Sequence, residues 1–348
     1  MVISSKKIKE TMKNFNKSRI AWTISALFLL AVTSCSKDKP AEQSPSAGQI
    51  LFTSEQAGLT VKSALNIKSD FVADAGLTLK TTINGVATSW IAGTDRTGIY
   101  SEEARDATSS GGSRIVNDEY IAHDTGLSSI FTATIPMYWG SASAIHHFYA
   151  YYPYLGGNSE AAVVPVRLLS TQVQSAANNF DHIGGLDFLV ATPITVTSPA
   201  NTSQTTSGLT AGPSIVHLTY NHLFSIVEFD ITGSGTINGI RLRGTALALA
   251  GATIAITQAT PEPGVPYTLA AQGSKAGAVI VNLTTPAALS GTPTKVYMVI
   301  YPGFAGTCSI DFTSDSGSTW EHTVSKVAPL GGGFLRGQYY VVSVAPGP

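Results

Sequence analysis

Thiols are almost missing from this chain: among 348 residues only Cys35 and Cys308 are cysteines. That excludes a disulfide-framed scaffold and any zinc module built on clustered cysteines. Charge is scarce too, with Asp, Glu, Lys and Arg making up 12% of the residues. A membrane-crossing helix needs about 18 or more apolar residues, and the longest such stretch, Ile20 to Val32, is thirteen residues. As a helix it would rise only about 20 Å, short of the hydrocarbon core. Amphipathic helical periodicity is nearly absent, the best exception being 168–178. Neither His-Glu-x-x-His nor Cys-x-x-Cys occurs, so the common zinc-hydrolase and redox signatures are excluded.

The short apolar stretch organises the beginning of the chain. Lys6, Lys7, Lys9, Lys13, Lys17 and Arg19 precede it with only Glu10 opposing them, the basic region and apolar core of an export signal. Val32-Thr33-Ser34-Cys35 follows at once and resembles a bacterial lipobox. On that reading residues 1–34 are a lipoprotein signal peptide, and Cys35 is acylated and becomes the first residue of the mature chain. More than one acyl chain gives stable anchoring, here to the outer membrane, at about 0.8 kcal/mol per buried methylene. Residues 35–49, polar with two prolines, read as an acylated flexible tether. The leader takes six of the 21 Lys and Arg and one of the 22 Asp and Glu, leaving 15 against 21, a formal −6. Such a body is unsuited to nucleic acid, which demands basic patches. Cys308 alternates with Ile310 and Phe312 and reads as a small core side chain.

From residue 50 onward, short runs rich in Val, Ile, Thr and Tyr alternate with Gly, Pro, Asn and Ser clusters, which predicts an all-β fold of sandwich type. Strands are expected at 50–53, 77–82, 97–100, 147–152 and 188–191. After a low-charge stretch at 197–212 they are expected at 215–220, 225–232, 239–242, 252–257, 278–283, 295–301, 308–313, 321–325 and 339–344. A boundary in that stretch divides the chain into an N-terminal β-sandwich domain, 50–205, and a C-terminal one, 206–348. Val227, Phe229 and Ile231 alternate with Glu228 and Asp230, predicting a strand with one wet face. Tyr339, Tyr340, Val341, Val342, Ser343 and Val344 are apolar on both faces and require cover on both.

Catalytic groups do not assemble. Asp315-Ser-Gly317 reads as a turn, and Gly233-Ser-Gly235 as a hairpin turn. His146 and His147 point to opposite faces of a strand, a poor geometry for a shared metal. His217 and His222 flank a turn on this reading, and Glu102 and Glu103 lie on an exposed loop. No enzyme, cofactor or metal site is expected. Trp90, Trp139 with Tyr138, and Trp320 remain as aromatic platforms on which sugar rings could stack, the basis of an alternative reading as a monomeric glycan-binding surface lipoprotein.

The order of loose motifs resembles the fimbrillin family of Bacteroides-type bacteria, lipoproteins that build type V pili. The motifs are the lipobox with Ser36-Lys37-Asp38, Ile50-Leu-Phe52, Trp90 before Thr97-Gly-Ile-Tyr100, Phe148-Tyr-Ala-Tyr-Tyr-Pro153 and Gly185-Leu-Asp-Phe-Leu-Val-Ala191. They continue through His217-Leu-Thr-Tyr-Asn-His-Leu-Phe-Ser225, Val296-Tyr-Met-Val-Ile-Tyr-Pro302, Leu330-Gly-Gly-Gly-Phe-Leu-Arg-Gly337 and 339–344. The resemblance implies two tandem transthyretin-like β-sandwich domains. It also implies assembly by donor-strand exchange, in which a protease removes an N-terminal strand and a neighbouring subunit's strand fills the slot. Residues 50–53 would lie in the lost strand. Tyr339–Val344 is then either the donated strand or the last strand of its own domain. The partners implied are neighbouring fimbrial subunits, the outer membrane through the lipid, and a host or bacterial surface receptor or glycan. One feature departs from the family: its processing arginine is missing, since Arg96 is the first arginine after Cys35, and Lys62 stands near the expected place. That leaves a cut after Lys62, a different protease, or an uncut anchor or accessory subunit.

Overall fold

The computed structural model describes residues 49–56, 77–78, 89–106, 114–200, 214–259, 267–314, 319–328 and 333–346. Their regular secondary structure is nearly all strand, as the β-branched and aromatic runs predict; among the described residues the one helical turn is a 3-10 turn at Asp181–Ile183. In chain order the strands are β1 (Ile50–Gln56), β2 (Leu77–Thr78), β3 (Arg96–Arg105), β4 (Arg114–Ala122), β5 (Ser128–Thr132), β6 (Ile145–Tyr152) and β7 (Val164–Leu168). Next come β8 (Thr171–Gln174), β9 (Leu189–Ala191), β10 (Ile194–Thr197), β11 (Ser214–His222), β12 (Ser225–Ile231) and β13 (Thr236–Ile254). The chain ends with β14 (Leu269–Ala271), β15 (Ser274–Ala288), β16 (Thr294–Ile300), β17 (Thr307–Thr313), β18 (Glu321–Val327) and β19 (Tyr339–Val344). Ser46–Pro348 form one compact unit.

Three sheets result. The first runs β10-β6-β3-β4-β5-β1-β11-β9, and β6 also pairs with β9, so the ladder closes into a ring. Closure removes the free edges of an open sheet. Inside the ring Phe52, Trp90, Ile99, Tyr120, Phe131, Phe148, Leu189, Val216 and Tyr220 form one core. The second sheet is β16-β12-β19-β2 and the third β18-β17-β13-β15-β8, with β7 and β14 also on β13. Val227, Phe229, Val296, Met298, Tyr340 and Val342 meet Ile240, Leu242, Val281, Ile310 and Phe312 in a second core between these two sheets.

A third core explains why so many strands are apolar on both faces. Tyr100, Tyr151 and Val190, which alternate with ring-core residues, pack in one cluster with Tyr297, Val299, Tyr339 and Val341 from the opposite face of the four-stranded sheet. The expected wet face of β12 is therefore covered. Glu228 is 2% exposed, and its carboxylate accepts from Lys295 Nζ at 2.5 Å and from the Tyr339 hydroxyl. Strands do not sort about residue 205: β11 pairs with β1 in the ring, whereas β8 and β7 pair with β15 and β13. Residues 201–213 lie outside the described residues.

Three local expectations are corrected. The 168–178 stretch holds strand β8 and the end of β7, not a helix. Gly233 and Gly235 do not close a hairpin, because β12 and β13 belong to different sheets and the turn carries the chain between them. Glu102 and Glu103 lie on β3, where Glu103 accepts from the His147 ring at 2.9 Å. The triad-like Asp315-Ser-Gly317 lies outside the described residues.

β8 also seals the outer edge of β16, whose other edge pairs with β12. Gln172 accepts from Val299 N at 3.0 Å and donates to Val299 O at 2.6 Å; Gln174 accepts from Tyr297 N at 2.8 Å and donates to Lys295 O at 3.2 Å. Asn178 accepts from Lys295 N at 3.0 Å. Side-chain amides thus replace the ladder that a neighbouring strand would supply, and buried backbone groups stay satisfied.

Candidate functional site

β1 is the first strand among the described residues and one stave of the ring. It runs parallel to β11, from Ile50 opposite Ser214 to Gln56 opposite Tyr220, and antiparallel to β5, from Phe52 opposite Phe131 to Glu55 opposite Ser128. Period-2 alternation sends Ile50, Phe52 and Ser54 inward, where all three are buried. The Phe52 ring meets Tyr120 edge-on at 5.0 Å and Phe148 at 5.4 Å. Ile50 N donates to Met137 O at 2.9 Å. On the outer side Thr53 Oγ1 and His217 Nδ1 are 2.6 Å apart. A strand in this slot is specified by alternate apolar side chains within and by backbone pairing on two sides.

β19, the other strand singled out by sequence, is the last of the unit. It lies parallel to β12 from Ile226 opposite Tyr339 to Ile231 opposite Val344, and it meets β2 through Val341 opposite Thr78 and Val342 opposite Leu77. Tyr340, Val342 and Val344 enter one core; Tyr339 and Val341 enter another. Its apolar character on both faces thus has a local cause. Tyr340 is anchored further, its hydroxyl accepting from Leu335 N at 2.7 Å and its ring meeting Phe334 at 5.1 Å. Burial pushes the Tyr340 hydroxyl up to about 12. Cys35 and Lys62 lie outside the described residues.

The aromatic platforms are corrected by burial. Trp90 is 1% exposed and Trp139 6%. Trp90 contacts Phe131, Tyr152 and Tyr220 edge-on within 5.4 Å, and Trp139 packs against His146 at 4.8 Å. Neither offers a ring face to a sugar. Trp320 is half-buried beneath the Arg241 guanidinium, 4.5 Å from the ring centre. The histidines are separated as well: His217 and His222 lie on one strand, not about a turn, and buried His222 pairs with Asp187 at 2.7 Å. His146 accepts from Gly140 N at 3.2 Å. Among the described residues no three His, Cys, Asp or Glu are grouped to hold a metal ion, and no helix is long and apolar enough to cross a membrane. Burial pushes the Cys308 thiol up to about 11, an inert core cysteine.

A family profile described as fimbrillin-like matches residues 80–345. The chain belongs to that fimbrillin-like family. The matched span begins after β2 and runs to the end of β19, so β1 precedes it. Solved structures similar to this fimbrillin-like chain include a candidate cell adhesion protein from Bacteroides uniformis, at 13% identity and TM-score 0.49, covering 86% of this chain and 93% of the other. A fimbrial assembly protein from Parabacteroides distasonis has 9% identity and TM-score 0.36, covering 85% and 90%. A fimbrial protein from Bacteroides ovatus has 11% identity and TM-score 0.37, covering 86% and 51%. No curated protein matches.

Proposed function

We propose that this fimbrillin-like protein is a structural or adhesive subunit of cell-surface fimbriae, exported, acylated on Cys35, and joined to its neighbours by donor-strand exchange at the β1 slot. Its work is binding, not catalysis. The observation that carries this reading is the place of β1: the first described strand, one stave of the ring, it buries Ile50 and Phe52 and is flanked on both sides by strands able to receive a replacement. Added strands bind through backbone hydrogen bonds, and alternate pockets fix their register. Lys62 lies six residues beyond the end of β1, so a cut there detaches β1 from the rest of the chain.

Tyr339–Val344 is the donor on this reading. It carries large apolar side chains at alternate positions, as the slot demands. Donation requires it to leave β12 along six residue pairs, so exchange is slow without a partner and favourable only when another strand or copy compensates. The test is limited proteolysis of the purified full chain, followed by gels run without heating. Cleavage between β1 and β3 is expected to yield a heat-sensitive ladder, and Lys62→Ala to suppress it if the cut is there. Loss of β1 with the protein remaining monomeric overturns the proposal.

A further inference from the structure

β12 and β16 carry a constellation that neither fold nor slot uses. Asp230 and Lys295 are directly opposed in the antiparallel pair, and Glu228, two residues back on the same face, is opposed by Tyr297. Lys295 Nζ lies 2.5 Å from Glu228 Oε1 and 3.4 Å from Asp230 Oδ1. Tyr339 donates its hydroxyl to the second oxygen of Glu228. The Glu228 side chain is 2% exposed, whereas Lys295 and Asp230 are 32% and 18% exposed, at the rim of the same site.

We propose that Lys295 and Asp230 condense into an intramolecular amide across β12 and β16, with Glu228 carrying the proton. Two carboxylates on one face repel each other, so the pair is a ready acceptor for the one proton that Lys295 gives up. The partly buried Lys295 ammonium passes its proton to Asp230, leaving a neutral amine beside a protonated Asp230 carboxyl while Glu228 stays ionised. The amine lone pair attacks Cγ of the protonated Asp230 carboxyl and the Nζ–Cγ bond forms. Glu228 takes the surplus proton from nitrogen and returns it to the departing hydroxyl. The Cγ–O bond breaks and one water leaves through the open rim. Ammonium plus carboxylate becomes amide plus water, so charge and atoms balance without oxidant, metal or cofactor. Direct cross-strand opposition supplies the proximity. Arg241 and Arg243 beside Asp311 cannot follow this route, since a guanidinium remains protonated.

The test is peptide mapping of the denatured full-length protein by mass spectrometry, with gel mobility as a second readout. A branched peptide joining the Asp230 and Lys295 segments, lighter than their sum by one water, is expected, together with faster migration than Lys295→Arg. Asp230→Asn is expected to form the same link while losing ammonia in place of water, and Glu228→Gln to leave the two segments separate. Separate segments of full sequence mass in the folded wild-type protein overturn the proposal, leaving an ordinary ion pair. This readout needs no variant to fold. A branched peptide that persists in Glu228→Gln removes Glu228 from the chemistry.

Discussion

Replacing Gln172 by alanine deletes the middle of the seal along β16. Gln172 is 2% exposed, and its amide meets both the N–H and the C=O of Val299. Removing it leaves two buried backbone groups without their partner, each worth about 1–3 kcal/mol if water does not reach them. Partial hydration of a strand edge lowers that figure, so a loss of about 2–4 kcal/mol is expected, a large fraction of a domain's usual margin. Gln172→Glu should cost at least as much: the carboxylate can still accept from Val299 N but cannot donate to Val299 O, and it places a charge in a buried site. Urea denaturation at fixed pH gives the magnitude, and hydrogen exchange at Val299 and Tyr297 its location. With Gln174 intact, Val299 should lose more protection than Tyr297. A change below about 0.5 kcal/mol, the range of ordinary surface substitutions, with Val299 still protected, would refute the reasoning.

Phe52→Ala should cost about 3–5 kcal/mol by opening a cavity against Tyr120 and Phe148, measurable by chemical denaturation. Burial, with the Asp106 charge second, raises the Asp118 carboxyl to about 6. The folded state therefore holds this proton to higher pH than the unfolded chain, and its share of stability falls as pH rises from about 4 to about 6. Discounted for partial exposure, the effect is about 1 kcal/mol, and Asp118→Asn should abolish it in melts taken across that range. Asp311 behaves oppositely: burial pushes its carboxyl up, but hydrogen bonds from Arg243, Thr323 and Arg241 outweigh this and hold it low. Its contribution is present at neutral pH and is lost on acidification below the ordinary aspartate range. Asp311→Asn should cost about 1–3 kcal/mol at neutral pH and flatten the acid limb of the stability curve.

The all-β class was legible because Val227, Phe229 and Ile231 keep a strict period of two, and β12 lies where that pattern places it. What covers its second face was not legible. Glu228 and Asp230 look solvated in sequence, yet Tyr297 and Tyr339 arrive from 69 and 111 residues away to enclose that face. Gln172 and Gln174 carried no strand signal for a similar reason: polar side chains at alternate positions suit an exposed edge, and their partners on β16 are more than 120 residues distant. Trp90 and Trp139 suited a core better than a surface platform at strand spacing, but only the ring closing around them excludes the platform. In the slot, Ile50 and Phe52 were identifiable as strand residues, whereas the partners on either side of β1 were not. β11 joins it across 164 residues, and local pattern holds no trace of such a contact.

N-terminal sequencing of subunits recovered from polymers at the cell surface tests the β1 slot most directly. Mature subunits that begin beyond β1, near Ser63, are what donor-strand exchange predicts. Polymers whose subunits still begin at acylated Cys35 and retain Ile50–Gln56 would contradict it.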